Sequence, residues 1–311
     1  MANVSVTENV AVELNEASKP SIPTGTAVFL FILNVFLSIT ASLGNALILV
    51  ALHKETSLHP PTKFLFRCLA ITDLCVGVIT QPFFTVGLLS SVTTEMNWKG
   101  IYFINIVSTV SSFVLCLESI LTCSAISVDR LLALLSGLRY RQVVTLQRVR
   151  AVITCFWLVG ISIGSISFWS YSIAFFLGSS LTIFSLATSV FSYSTIYFKL
   201  RRRRLQVSPL TQGQPNRRER SLNIARYKNS VSSAIWVQVV LVTCYIPLSV
   251  VVMLIAYGQI PGRQSEIALY VTATLVFLNS SLNPILYCWK IRPVRQAAKD
   301  TIKQLNCCKS A

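Results

Sequence analysis

Long blocks of apolar residues alternate with short polar stretches along the whole chain, and that pattern decides the class of protein before any motif is read. Runs able to cross a hydrocarbon core of about 30 Å recur seven times, at about 26–52, 63–89, 101–134, 146–169, 172–205, 226–257 and 265–290. Backbone polar groups in lipid must be paired within their own segment, so runs of this length are predicted to be helices. The reading is an all-α membrane protein, a seven-transmembrane helix bundle followed by a short amphipathic eighth helix on the inner leaflet. Residues 1–25 form a polar extracellular N-terminus without fixed structure, 26–290 the membrane domain, and 291–311 the amphipathic helix and cytoplasmic tail.

Composition agrees with a polytopic chain: 53% of the 311 residues are hydrophobic and only 12% charged. The net charge of +16 invites a nucleic-acid reading, but its distribution opposes one. By these spans every Lys and Arg except Lys19, Lys99 and Arg263 falls on one side, which the positive-inside bias makes the cytoplasm. Anionic lipid attracts Arg201 to Arg204 there, and no aromatic stacking platform accompanies the run, so nucleic acid is excluded as a partner. The N-terminus is then extracellular and the protein sits in the plasma membrane. Asn3-Val4-Ser5 is a glycosylation sequon on that side. None of the nine cysteines lies in an outer segment, so no extracellular disulfide is expected; Cys307 and Cys308 follow the amphipathic segment and are candidates for palmitoylation.

Polar residues inside the spans carry the chemistry. Asp73 in the second span is costly in lipid, by at least about 2.5 kcal/mol, and must face a polar interior. The stretch Asn279-Ser280-Ser281-Leu282-Asn283-Pro284-Ile285-Leu286-Tyr287 places amides and hydroxyls around a proline, which removes one backbone hydrogen bond and makes a hinge. Asp73 is its expected polar partner. Ser119 lies 11 residues before Arg130, about three turns deeper, at a depth suited to meeting Asp73. Glu118 beside it reads either as a buried, hydrogen-bonded acid or as a proton- or ligand-linked group.

Gly44-Asn45, Leu69-Ala70-x-x-Asp73, Asp129-Arg130, Trp157, Cys244-Tyr245-Ile246-Pro247 and Asn283-Pro284-x-x-Tyr287 stand in order, one set on each of six spans. In that order they resemble the rhodopsin-like, class A, G-protein-coupled receptors. Within the family the chain is loosely similar to the melanocortin and adenosine receptors, through Asp129 to Thr145, Ile291 to Gln296 and the short link near Trp169 to Ser172. The resemblance implies a receptor, not an enzyme, that passes an extracellular ligand signal to a heterotrimeric G protein through movement of the sixth helix about Pro247. It implies an activation switch of Asp129, Arg130, Tyr193, Tyr245, Pro247, Asn283, Pro284 and Tyr287. A sodium pocket of Asp73, Ser119, Asn279, Ser280 and Asn283 is implied as well, with the ion as allosteric modulator and no other cofactor. Carried over by family spacing, the ligand pocket is Phe83, Phe84, Ser112, Phe113, Cys116, Leu177, Leu181, Tyr245, Leu248, Ser249, Val252, Ala273 and Phe277, an apolar set without charge that points to a small apolar ligand.

Departures qualify the likeness. Asn105 stands where the family carries its outer cysteine, Leu131 where Tyr follows the arginine, Tyr245 where Trp is usual, and Ser185 where the fifth span has a proline. Tyr227 replaces an acid that pairs with the arginine, which implies a weak inner lock and high basal activity. Ser112 replaces the aspartate of amine receptors and Phe277 the lysine of opsins, so neither ligand transfers. The alternative is an ion- or proton-coupled transporter using Asp73 and Glu118, but the interruptions at Pro82, Pro247 and Pro284 are unmatched between halves. An intramembrane enzyme lacks a buried base, since His53 and His59 both lie in the first inner loop.

Overall fold

In the computed structural model the described residues are 22–56, 58–90, 98–207, 238–260 and 262–290, with the isolated position 296; a few side chains inside these ranges, among them those of 286–290, are not described. Asn3, Tyr227, Cys307 and Cys308 lie outside the described residues, as do the side chain of Tyr287 and nearly all of the amphipathic tail segment.

Among the described residues seven helices are long and apolar enough to cross a membrane. They are α1 (Thr24–Lys54), α2 (Pro60–Ser90), α3 (Trp98–Ser136), α4 (Leu146–Ile166), α5 (Tyr171–Val207), α6 (Gln238–Ala256) and α7 (Gly262–Lys290). Local chemistry sets several of the ends. Pro60 and Pro61 occupy the first turn of α2, where a missing N–H has no helical acceptor to lose. Gly137 stops α3 with φ of 50°, a left-handed conformation that a side chain would resist. Thr145 caps α4 by accepting from the Arg148 N–H.

Packing organises the seven around α3, which touches α2, α4 and α5, while α1 packs against α2 and α7. The main apolar core draws on all seven helices, with Ile48, Leu65, Leu69, Leu117, Ile153, Leu186, Leu241 and Val276 buried together. Facing the other way, Phe29, Phe36, Leu43, Leu158, Phe184 and Phe191 are more than half exposed. A continuous exposed apolar belt of this kind is a liability in water and the required surface in lipid.

Helix α2 is irregular just before Pro82, which the sequence marks as an interruption. Val76–Thr80 forms a π turn, and the Gln81 N–H reaches back to the Val76 carbonyl. Pro82 follows at once; the wider turn accommodates its ring and missing donor, so α2 continues outward to Ser90. Helix α5, by contrast, runs without a break from Tyr171 to Val207 through Ser185. The connection between α4 and α5, residues 167–170, marks the outer end of the bundle, away from Arg201 and Arg202 at the far end of α5.

Candidate functional site

Two assemblies sit one above the other, the inner between α2, α3 and α7 and the outer lined by these helices together with α5 and α6. The inner one centres on Asp73, which is fully buried. Its Oδ1 accepts from the hydroxyls of Ser119 at 2.9 Å and Ser280 at 2.8 Å, and its Oδ2 accepts from the Asn283 amide at 2.7 Å. One acid is therefore tied to α3 and to two turns of α7. Asn279 lies one turn above Asn283 on α7, fully buried, and neither amide atom has a hydrogen-bond partner.

Beside this node α1 closes on the hinge of α7. Pro284 has no N–H, which frees the carbonyl of Ser280 four residues earlier. The Asn45 amide donates to that carbonyl at 3.0 Å, and to Ala41 at 2.8 Å. Gly44 permits the approach, because a Cβ there would lie 2.9 Å from Pro284 Cγ. The adjacent Gly-Asn pair thus removes bulk at one position and re-satisfies the proline's lost bond at the next.

The outer assembly is a cavity of about 690 Å³, within the range of roughly 300–1,000 Å³ that suits small-molecule ligands. Of the residues assigned by spacing, Phe84, Ser112, Phe113, Cys116, Tyr245, Leu248, Ser249, Ala273 and Phe277 line it. Its floor joins the node below: Cys116 precedes Ser119 by three residues on α3, and Phe277 precedes Ser280 by three on α7. Tyr245 bridges α6 to the same floor by donating to the Cys116 carbonyl at 3.3 Å.

Four assigned residues are elsewhere. Phe83 stands edge-on to Phe103, itself 60% exposed, on the outward flank of α2 and α3. Leu177 is exposed and Leu181 packs on the main core, while Gly178, Ser179 and Thr182 take the lining positions. The shift of one residue has a cause: spacing borrowed from helices with a proline assumes the extra residue that a bulge absorbs, and α5 with Ser185 is regular. Val252 also lies off the cavity: α6 lends Tyr245, Leu248 and Ser249, and the other lining residues come from α2, α3, α5 and α7. The expectation of an uncharged pocket is corrected too, since Glu266 in the first turns of α7 is a lining residue. It shares the face of Leu269, Tyr270 and Ala273 at helical spacing, a signal present in the sequence.

At the inner end the adjacent residues Asp129 and Arg130 have different surroundings. Asp129 is buried, and its carboxylate accepts from Thr62 at 2.9 Å and from the Tyr140 hydroxyl at 2.6 Å. Arg130 is exposed, with its guanidinium carbon 5.6 Å from the centre of the Phe66 ring. Burial, and then the bond to Asp129, push the Tyr140 phenol up to about 12, so it stays a donor across the neutral range. Tyr193 is buried with Leu131, Leu134 and Ile196, between α3 and α5. Glu118 belongs to neither assembly: fully buried, it accepts from Thr122 at 3.4 Å and leaves its second oxygen without a partner.

Comparison with known proteins follows the same line. The seven-transmembrane receptor model of the rhodopsin family matches residues 44–172 and 162–287. Among curated relatives, adenosine receptor A3 of Ovis aries is 23% identical over 300 residues, covering 87% of this chain and 88% of its own. Melanocortin receptor 4 of Danio rerio is 25% identical over 288 residues, 88% and 82% of the two chains, and the muscarinic acetylcholine receptor gar-2 of Caenorhabditis elegans is 30% identical over 145 residues, 47% and 22%. Seven stacked spans, a buried acid tied to the proline-bearing helix and a family match across most of the chain lead to one conclusion: this protein belongs to the rhodopsin family of seven-transmembrane receptors, and is a multi-pass G-protein-coupled receptor rather than an enzyme.

Proposed function

We propose that this receptor lies in the plasma membrane with its N-terminus outside, takes a small ligand with an apolar body into the outer cavity, and passes the signal to a heterotrimeric G protein by rotation of α6 about Pro247. The observation that supports this most directly is the three-residue step between the cavity floor and the Asp73 node on both α3 and α7. Three residues rise about 4.5 Å, so a ligand that displaces Phe277 or Cys116 acts within one turn of the hydrogen bonds that tie α2 to α7. A ligand shifts such a two-state bundle only by binding one state better.

Asp73, Ser119, Ser280 and Asn283 supply the oxygens a hard cation needs, and the unpartnered Asn279 amide is the observation that favours an ion there. A hydroxyl that donates to Asp73 keeps its lone pairs for a cation. Sodium in that set would supply positive charge to the carboxylate and hold α2, α3 and α7 in the inactive arrangement. Ligand binding weakens that arrangement, Tyr193 and Tyr287 move inward, and Arg130 meets an amphipathic helix of the G protein in the opened inner groove.

Basal nucleotide exchange on a panel of G proteins tests the reading without a known ligand. Exchange by the wild type that Arg130→Ala abolishes supports it; exchange unaltered by Arg130→Ala overturns the inner half. For the cavity, Phe113→Ala and Phe277→Ala are expected to weaken any agonist found by screening, and agonists indifferent to both overturn the outer half.

A further inference from the structure

Glu266 is the single acidic or basic side chain among the described residues that line the cavity, and it stands at the outer end of α7 with its side chain exposed. One helical turn below it is Tyr270, whose ring centre lies 5.2 Å from that of Phe84; Phe84 in turn meets Phe277 edge-on at 4.9 Å. Phe113 and Phe175, 5.0 Å apart, form a second aromatic pair contributed by α3 and α5. Among the described residues the cavity is therefore a slot with aromatic walls and one negative group at its mouth. The link between α4 and α5 has only the four residues 167–170.

Aromatic faces attract cations and apolar chains alike, whereas the carboxylate discriminates. A carboxylate-bearing ligand would meet repulsion at the mouth, a neutral hydroxyl would gain only a hydrogen bond to the carboxylate, and an ammonium gains the full charge pairing as well. From Glu266 to Phe277 the helix advances 11 residues, about 16 Å. That length requires a ligand with its charge at one end and its apolar body extended toward the floor. It also fits Ser112, which offers no charge deep in the cavity where a compact amine would need one.

We propose that the ligand class of this receptor is the cationic amphiphile, an elongated apolar molecule with an ammonium head that pairs with Glu266 while its body lies between the Phe84–Phe277 and Phe113–Phe175 pairs. This rests on the outer cavity being the ligand site, as proposed above.

Purified receptor in lipid nanodiscs, titrated with dodecylamine, dodecanol and dodecanoate and followed by thermal shift against empty-nanodisc controls, tests it. The amine is expected to bind about fivefold tighter than the alcohol, the increment of one partly exposed charge contact, with dodecanoate weakest. Glu266→Gln should bring amine and alcohol level, and Glu266→Lys should reverse the order of amine and carboxylate. Equal or tighter binding of alcohol or carboxylate by the wild type, or an order unmoved by Glu266→Gln, overturns the assignment. Ser112→Trp, which fills the slot, separates the two readings. If it abolishes dodecanol binding while the Glu266 variants leave the order untouched, the cavity reading stands and the charge assignment falls. Should none of the three probes respond to Ser112→Trp, the cavity reading falls with it.

Discussion

Asn45 shows how one side chain can decide a helix. Its amide takes the Ser280 carbonyl that Pro284 releases, so removing it leaves a buried acceptor without a donor. Such a loss costs about 1–3 kcal/mol. Asn45→Ala is therefore expected to lower the melting temperature of the purified receptor. In a Pro284→Ala background the residue at 284 can again donate to Ser280, and the same substitution should cost much less. Strict additivity in that double-mutant cycle refutes the assignment. Asp73 makes a different prediction. If the node holds sodium, replacing sodium by choline should raise basal nucleotide exchange in the wild type and leave Asp73→Asn unmoved, because the amide lacks the charge that a cation requires. An identical salt response in the variant removes the ion from the mechanism and leaves the hydrogen bonds.

Helices carry a second kind of information, in register and approach. Gly44→Ala sets two effects against each other: alanine is the better helix former by about 1 kcal/mol, but its Cβ would stand 2.9 Å from Pro284 Cγ. Overpacking of that kind typically costs about 1–3 kcal/mol, and Pro284 cannot rotate away. The expected outcome is a lower melting temperature, with Gly25→Ala, where nothing lies within 4 Å of the added carbon, as the control that shows no loss. On α5 the missing proline turns Gly178 to the cavity, where an added Cβ would stand 3.4 Å from the Phe113 ring. Gly178→Val should accordingly shrink the cavity and weaken dodecanol binding, whereas Leu177→Val, on the exposed face, should not change it. The reverse order of effects means that the register is the one a proline-bulged helix would have.

Across the described residues the bundle joins an outer slot to an inner face through buried polar groups. Arg130 is exposed, so Arg130→Ala is expected to abolish nucleotide exchange while moving the melting temperature little. Asp129 is held by Thr62 and Tyr140, so Tyr140, at the start of the short helix after α3, is tied to the inner end of the bundle. Tyr140→Phe removes one of the two donors to Asp129 and should raise basal exchange. The sign of any pH effect follows from a phenol pushed up to about 12: the folded state holds its proton more tightly, so the contact's stability is complete below the ordinary tyrosine value near 10 and is lost only as pH rises beyond it. Changes in basal exchange near neutral pH therefore arise elsewhere.

Much of this was legible in the residues. Seven apolar runs fix seven helices because lipid leaves the backbone no other way to pair its groups, and a buried acid with amides and hydroxyls at matching depth has few places to go. Asp73, Ser119, Ser280 and Asn283 could be brought together on those grounds alone. Packing decided the rest. The π turn before Pro82, the one-residue shift of α5, the exclusion of Phe83 and Val252 from the cavity, the arrival of Glu266 at its mouth and the transfer of Asp129 to Thr62 and Tyr140 all depend on how helices lie against one another. Sequence determines which groups cannot face lipid; the choice of partner among groups equally barred from it is made by rotation and register, which exist only once the helices have met.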